Sequence, residues 1–178
     1  MCNDGDVLLL DVGAEYANYN ADLTRSIPVN GKFSKRQKEV YQAVLHVQRE
    51  AYSMLIPGNI IPEYQKEVSR IMESELLGLG LITKTEIKNQ DKDRPVYKKY
   101  FMHGVSHHLG LDVHDVGSIY RKFSSGMVLT VEPGIYIREE NLGIRLENNV
   151  VIKEKGVDDL MKNIPVEIEE IEEIMNSR

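Results

Sequence analysis

Acids set inside apolar sequence are the feature that most narrows what this chain can fold into. Asp11 ends the run VLLLD, Glu132 follows LTV, and Glu147 follows GIRL. A buried carboxylate without a partner costs several kcal/mol, so each of these needs a cation, a hydrogen-bond donor or a raised pKa. A second concentration of chemistry lies between Tyr100 and Asp115, YFMHGVSHHLGLDVHD, which holds His103, His107, His108 and His114, four of the five histidines in the chain. Histidine is the commonest protein metal ligand and titrates nearest neutrality, so such crowding in a turn-rich segment favours a chemical site over four separate core residues.

Composition removes the main competing classes. The chain of 178 residues is expected to form one domain, 1–178, cytoplasmic, with a single cysteine, Cys2, that excludes an internal disulfide framework. A formal net charge of −6 argues against nucleic acid as a partner. No run approaches the roughly 18 apolar residues of a membrane span, and the N-terminus lacks a signal-peptide pattern.

Read in order, DVLLLDVG (6–13) is expected to be a buried strand, which makes Asp11 a carboxylate in a core. Tyr16 to Val29 reads as a second strand carrying Asp22, with Arg25 as an available ion-pair partner. Acids eleven positions apart on consecutive strands can meet across a hairpin. Ser34 and Gln37 have capping-box spacing and open a helix whose apolar stripe is Val40, Val44, Val47, Ala51 and Met54. His46 lies off that stripe and reads as solvated. A second helix begins near Pro62 and runs through Tyr64, Val68, Ile71 and Leu76, and Thr83 with Glu86 can cap a short third one. Pro133-Gly134 separates two strand-like pieces, with Glu132 at the break. Gly143 to Glu154 reads as one strand on which Arg145 and Glu147 share a face. Ile168, Ile171 and Ile174 space a short amphipathic helix at about 166–177.

The informative set is then Asp11, Asp22, His107, Glu132 and Glu147. Two divalent cations would neutralise four carboxylates that could not otherwise share one pocket. Oxygen-rich ligation with one imidazole and no thiolate favours manganese, with cobalt or zinc as alternatives. A two-metal site can activate a bridging water and clamp a hydrolytic transition state, so the implied chemistry is hydrolysis.

LLLDVGAEY, NADLTRSIPVNGKF, MHGVSHHLGLDVHDVG, GMVLTVEPGIYI and GIRLENNVVI, in this order, closely resemble the motifs of the Xaa-Pro aminopeptidases, within the pita-bread fold family that also holds prolidase and methionine aminopeptidase. The resemblance implies an α+β fold, a strongly curved and mostly antiparallel sheet with helices on its convex face. It implies that Asp11 binds one metal, that His107 and Glu132 bind the other, and that Asp22 and Glu147 bridge them. It implies proton transfer by Glu132 to and from the bridging hydroxide, and substrate contacts from His103, His114 and Arg145, with His103 and His114 also near the scissile carbonyl. His108 matches no ligand position. The expected substrate is a peptide with proline second. Family catalytic domains begin well upstream of the LLLDVG strand, so the chain is expected to be the C-terminal portion of one, with an exposed sheet edge and a tendency to form homo-oligomers. LENN departs from a family pattern that often has a further acid after the glutamate. The alternatives are a prolidase cleaving only dipeptides, and a non-catalytic interaction module.

Overall fold

The computed structural model describes residues 1–177. Every strand pair in it is antiparallel. β1 (Val7–Val12) pairs with β4 (Leu23–Pro28), in a register that sets Asp11 opposite Thr24. Between them lies a small hairpin, β2 (Glu15–Tyr16) and β3 (Tyr19–Asn20). Its two turn residues, Ala17 and Asn18, adopt φ of 51° and 67°, the left-handed conformation of a tight two-residue turn. The expected single strand from Tyr16 to Val29 is therefore divided, and Asp22 stands just ahead of β4.

The helices follow their sequence signals. α1 (Lys35–Met54) starts at a complete capping box: Gln37 N–H donates to the Ser34 hydroxyl at 3.2 Å, and Ser34 N–H to the Gln37 side chain at 2.7 Å. α2 (Ile61–Gly78) carries Pro62 in its first turn, where a missing N–H costs nothing. Val40, Val44, Val47 and Ala51 of α1 are fully buried, as are Tyr64, Val68, Met72 and Leu76 of α2. A short α3 (Lys84–Asn89) has its own capping box from Thr83 and Glu86. The exposed His46 joins α1 to α2 through Glu75, at 2.8 Å.

β5 (Val128–Val131) pairs with β8 (Asn148–Ile152), which pairs with β9 (Val157–Asp159), while β6 (Gly134–Ile137) pairs with β7 (Leu142–Arg145). The run expected as one strand from Gly143 to Glu154 thus breaks at Leu146-Glu147, where the chain passes from one ladder to the next. A single bridge between Thr24 and Glu147 ties that break to β4. α1 packs against β5, β6 and β7, so the core lies between helices and sheet. α4 (Ile168–Asn176) closes the described chain, burying Ile168 and Ile171.

One expectation fails at β1. Among the described residues it is an edge strand paired only with β4, and Leu8, Leu10 and Val12 are exposed. Asp11, expected in a core, is half-exposed.

Candidate metal centre

Four of the expected residues converge. Asp22 is delivered by the turn into β4, His107 by the extended histidine segment, Glu132 by the break between β5 and β6, and Glu147 by the break between β7 and β8. His107 Nε2 lies 3.4 Å from Asp22 Oδ2 and 3.5 Å from Glu132 Oε1. One ligand atom each from Asp22, His107 and Glu147 lie within 4.8 Å of one another. His103 Nδ1 stands 3.7 Å from Glu132 Oε2.

Hydrogen bonds fix how these groups present themselves. His107 Nδ1 is 2.9 Å from the carbonyl of His108, which can only accept, so Nδ1 carries a proton and Nε2 is the nitrogen turned to the acids. The His114 ring stacks on that of His107, centroids 4.0 Å apart. Asp22 is held through its main chain: its N–H donates to Asn149 Oδ1 at 2.9 Å, and its carbonyl accepts from Asn149 Nδ2 at 2.6 Å. An aspartate at 149 could not donate the second bond. Asn148 likewise donates to Asp159, at 2.7 Å.

Burial has an electrostatic cost. Desolvation, helped by the neighbouring acids, raises Glu132 to about 7 and Glu147 to about 8, and pushes Asp22 upward against the pull of His107. Desolvation also lowers His103.

The residues fit a divalent cation. Glu147 is 2% exposed, and its Oε1 has no hydrogen-bond partner among the described residues. A buried orphan acceptor beside two further carboxylates and an imidazole nitrogen is suited to a hard or borderline cation.

Asp11 stands apart from this group. Its carboxylate is bound by the Arg145 guanidinium at the edge of the sheet, because β1 is open to solvent there and a cation on β7 reaches it. Arg145 also donates to Tyr136 Oη at 3.2 Å and to Thr24 Oγ1 at 3.0 Å. Tyr136 Oη lies 2.8 Å from His103 Nε2; since His103 Nδ1 donates to the Gly104 carbonyl, the tyrosine proton points to Nε2. Arg25 makes no pair with Asp22. It lies on the other face of β4 and donates to the carbonyls of Thr24, Glu147 and Pro165. His108 forms an isolated bridge with Leu129, and its ring packs against Gly117. The sequence reading missed Tyr136, Thr24, Asn149 and Thr130, whose hydroxyl accepts from His107 N–H at 3.1 Å and donates to Glu132 Oε1 at 3.3 Å. Their only signal was polarity at strand positions, which turns and surfaces also show.

The model of metallopeptidase family M24 matches residues 1–154. The chain belongs to metallopeptidase family M24. It is 44% identical over 189 residues to the Xaa-Pro aminopeptidase of Haemophilus influenzae, covering 98% of this chain and 43% of that protein. It is also 44% identical over 187 residues to the Escherichia coli Xaa-Pro aminopeptidase, covering 97% and 41%. A solved structure of zinc-substituted Escherichia coli aminopeptidase P in complex with product superposes with a TM-score of 0.86 at 44% identity, over 97% of this chain and 41% of that one. This M24 chain therefore has the pita-bread fold of those structures, as the motif order implied. It spans about two fifths of the length of these relatives.

Proposed function

We propose that this chain carries the metal centre and substrate-anchoring groups of an aminopeptidase that removes an N-terminal residue ahead of proline. The observation that carries the reading is the convergence of Asp22, His107, Glu132 and Glu147 beside His103 and Arg145. Asp22, His107, Glu132 and Glu147 would hold the cations, with Asp11 joining from the edge of the sheet. Two divalent ions, manganese for preference, supply Lewis-acid activation of a water and of the scissile carbonyl. The residues do the rest. Glu132, raised to about 7 in the metal-free site, is the carboxylate placed to take and return a proton, and a cation held there would lower that value by replacing the proton. His103, whose burial favours the neutral ring, has Nδ1 engaged by the Gly104 carbonyl and Nε2 by Tyr136 Oη, so it would line the substrate side as an oriented ring beside the Tyr136 hydroxyl. Arg145 supplies a fixed positive charge beside it, and His114 shields the exposed side of His107. A peptide with proline second is the proposed substrate, a homo-oligomer the proposed assembly, and a reducing cytoplasm suits a chain with one cysteine.

The test is hydrolysis of an Xaa-Pro-containing tripeptide, the matching Xaa-Pro dipeptide and a proline-free tripeptide by the purified chain with added Mn²⁺. Metal-dependent release of the first residue from the proline tripeptide alone is expected, at a rate far below that of a full-length relative. Cleavage of only the dipeptide would replace this reading with a prolidase. Metal uptake without hydrolysis of any of the three would leave a non-catalytic module.

A further inference from the structure

Thr24 is fully buried in β4, at the bridge that joins the first ladder to the β7–β8 break. Its hydroxyl lies 2.7 Å from Glu147 Oε2 and 3.0 Å from Arg145 Nε. The direction of both bonds follows from the chemistry of the partners. Arginine Nε carries a hydrogen and no lone pair to offer, so it can only donate to the threonine oxygen. With Glu147 ionised, as a metal ligand has to be, the one hydroxyl proton then points at Glu147 Oε2. That engages Oε2 and leaves Oε1 as the oxygen of Glu147 with no partner among the described residues. The main chain reinforces the arrangement: Glu147 N–H donates to the Thr24 carbonyl at 3.1 Å, and Arg25 donates to the same carbonyl at 2.9 Å.

We propose that Thr24 is a positioning residue: its hydroxyl, oriented by Arg145, fixes the Glu147 carboxylate so that Oε1 is the oxygen offered to metal. This rests on the metal-centre reading above. It adds a chain of hydrogen bonds in which Arg145 donates both to Asp11 and to Thr24 and Thr24 donates on to Glu147, linking the substrate-side cation to a metal ligand. A purely structural threonine would need only its shape, which valine copies.

The experiment is titration of Mn²⁺ alone into the metal-free chain by calorimetry, with thermal melts of the same samples. Thr24→Val should bind Mn²⁺ about 10- to 100-fold more weakly than the parent, the usual scale for losing a group that orients a metal ligand. Thr24→Ser, which keeps the hydroxyl, should restore parent affinity. Thr24→Ala serves as a second hydroxyl-free variant if valine does not fold. Parent-like affinity in a folded hydroxyl-free variant would overturn the role of Thr24 alone. Equal losses in Thr24→Ser and Thr24→Val would show that the methyl group matters instead, and failure of both hydroxyl-free variants to fold would make the residue structural. A parent chain that takes up no Mn²⁺ would remove the metal reading and this role with it.

Discussion

At the scale of single residues, the proposed site separates groups expected to bear on a cation from neighbours that only look similar in sequence. Asp22→Asn and Glu147→Gln are expected to abolish stoichiometric metal uptake, whereas His108→Ala, whose ring packs on Gly117, should leave it unchanged. Metal analysis of the three purified variants decides this, and equal loss in all would refute the assignment. Asn149→Asp replaces a donor to the Asp22 carbonyl with an acceptor, so about 1–3 kcal/mol of stability should be lost in urea unfolding. The pH dependence has a definite sign. Glu132 and Glu147 stand at about 7 and about 8 when folded, above an ordinary value near 4.5. Their folded forms prefer the proton, so the stability they contribute is complete below pH 4.5 and is lost as pH rises through 7 to 8. The metal-free chain should therefore melt at lower temperature as pH increases across that window, and Mn²⁺ should lessen the fall because it replaces those protons. Melting curves with and without Mn²⁺ read both effects. Asp22, His107, Glu132 and Glu147 were legible because carboxylates and imidazoles are rare in apolar runs. Asp11 was legible as an acid in a strand, but its Arg145 partner was not, since ion pairs across 134 residues leave no local trace.

At the scale of elements, local chemistry was readable and nonlocal pairing was not. The capping boxes at Ser34 and Thr83 and the stripe from Val40 to Ala51 act within a few residues, so α1 and α3 begin where the sequence indicates. Ser34→Ala should destabilise the chain by about 1 kcal/mol, the usual worth of a side-chain N-cap, visible as a lower urea midpoint with an unchanged slope. The division of Tyr16–Val29 by a left-handed turn at Ala17-Asn18 was hidden because alanine seldom adopts that conformation. The break at Leu146-Glu147 was hidden for another reason. Apolar and polar residues alternate straight through it, and only the neighbouring ladders reveal that β7 and β8 have different partners.

At the scale of the whole molecule, β1 sets the behaviour in solution. A six-residue edge strand with Leu8, Leu10 and Val12 exposed offers unpaired backbone groups and apolar side chains together. The chain should self-associate with rising concentration in sedimentation experiments. Leu10→Lys, which places a charge on the exposed face, should shift the population toward monomer without altering Mn²⁺ affinity. A parent chain that stays monomeric throughout would show that the edge is not adhesive. The break between β7 and β8 bears on a different property, tolerance to changes in chain length. Within three positions it turns Arg145 and Glu147 to the same threonine while passing the backbone from one ladder to another. Because side chains alternate faces along a strand, removing one residue there would turn either the arginine or the glutamate away from Thr24. Gene libraries of single-codon deletions should therefore be depleted sharply between Gly143 and Asn149, while the polar excursion around Lys88 to Asp93 absorbs them.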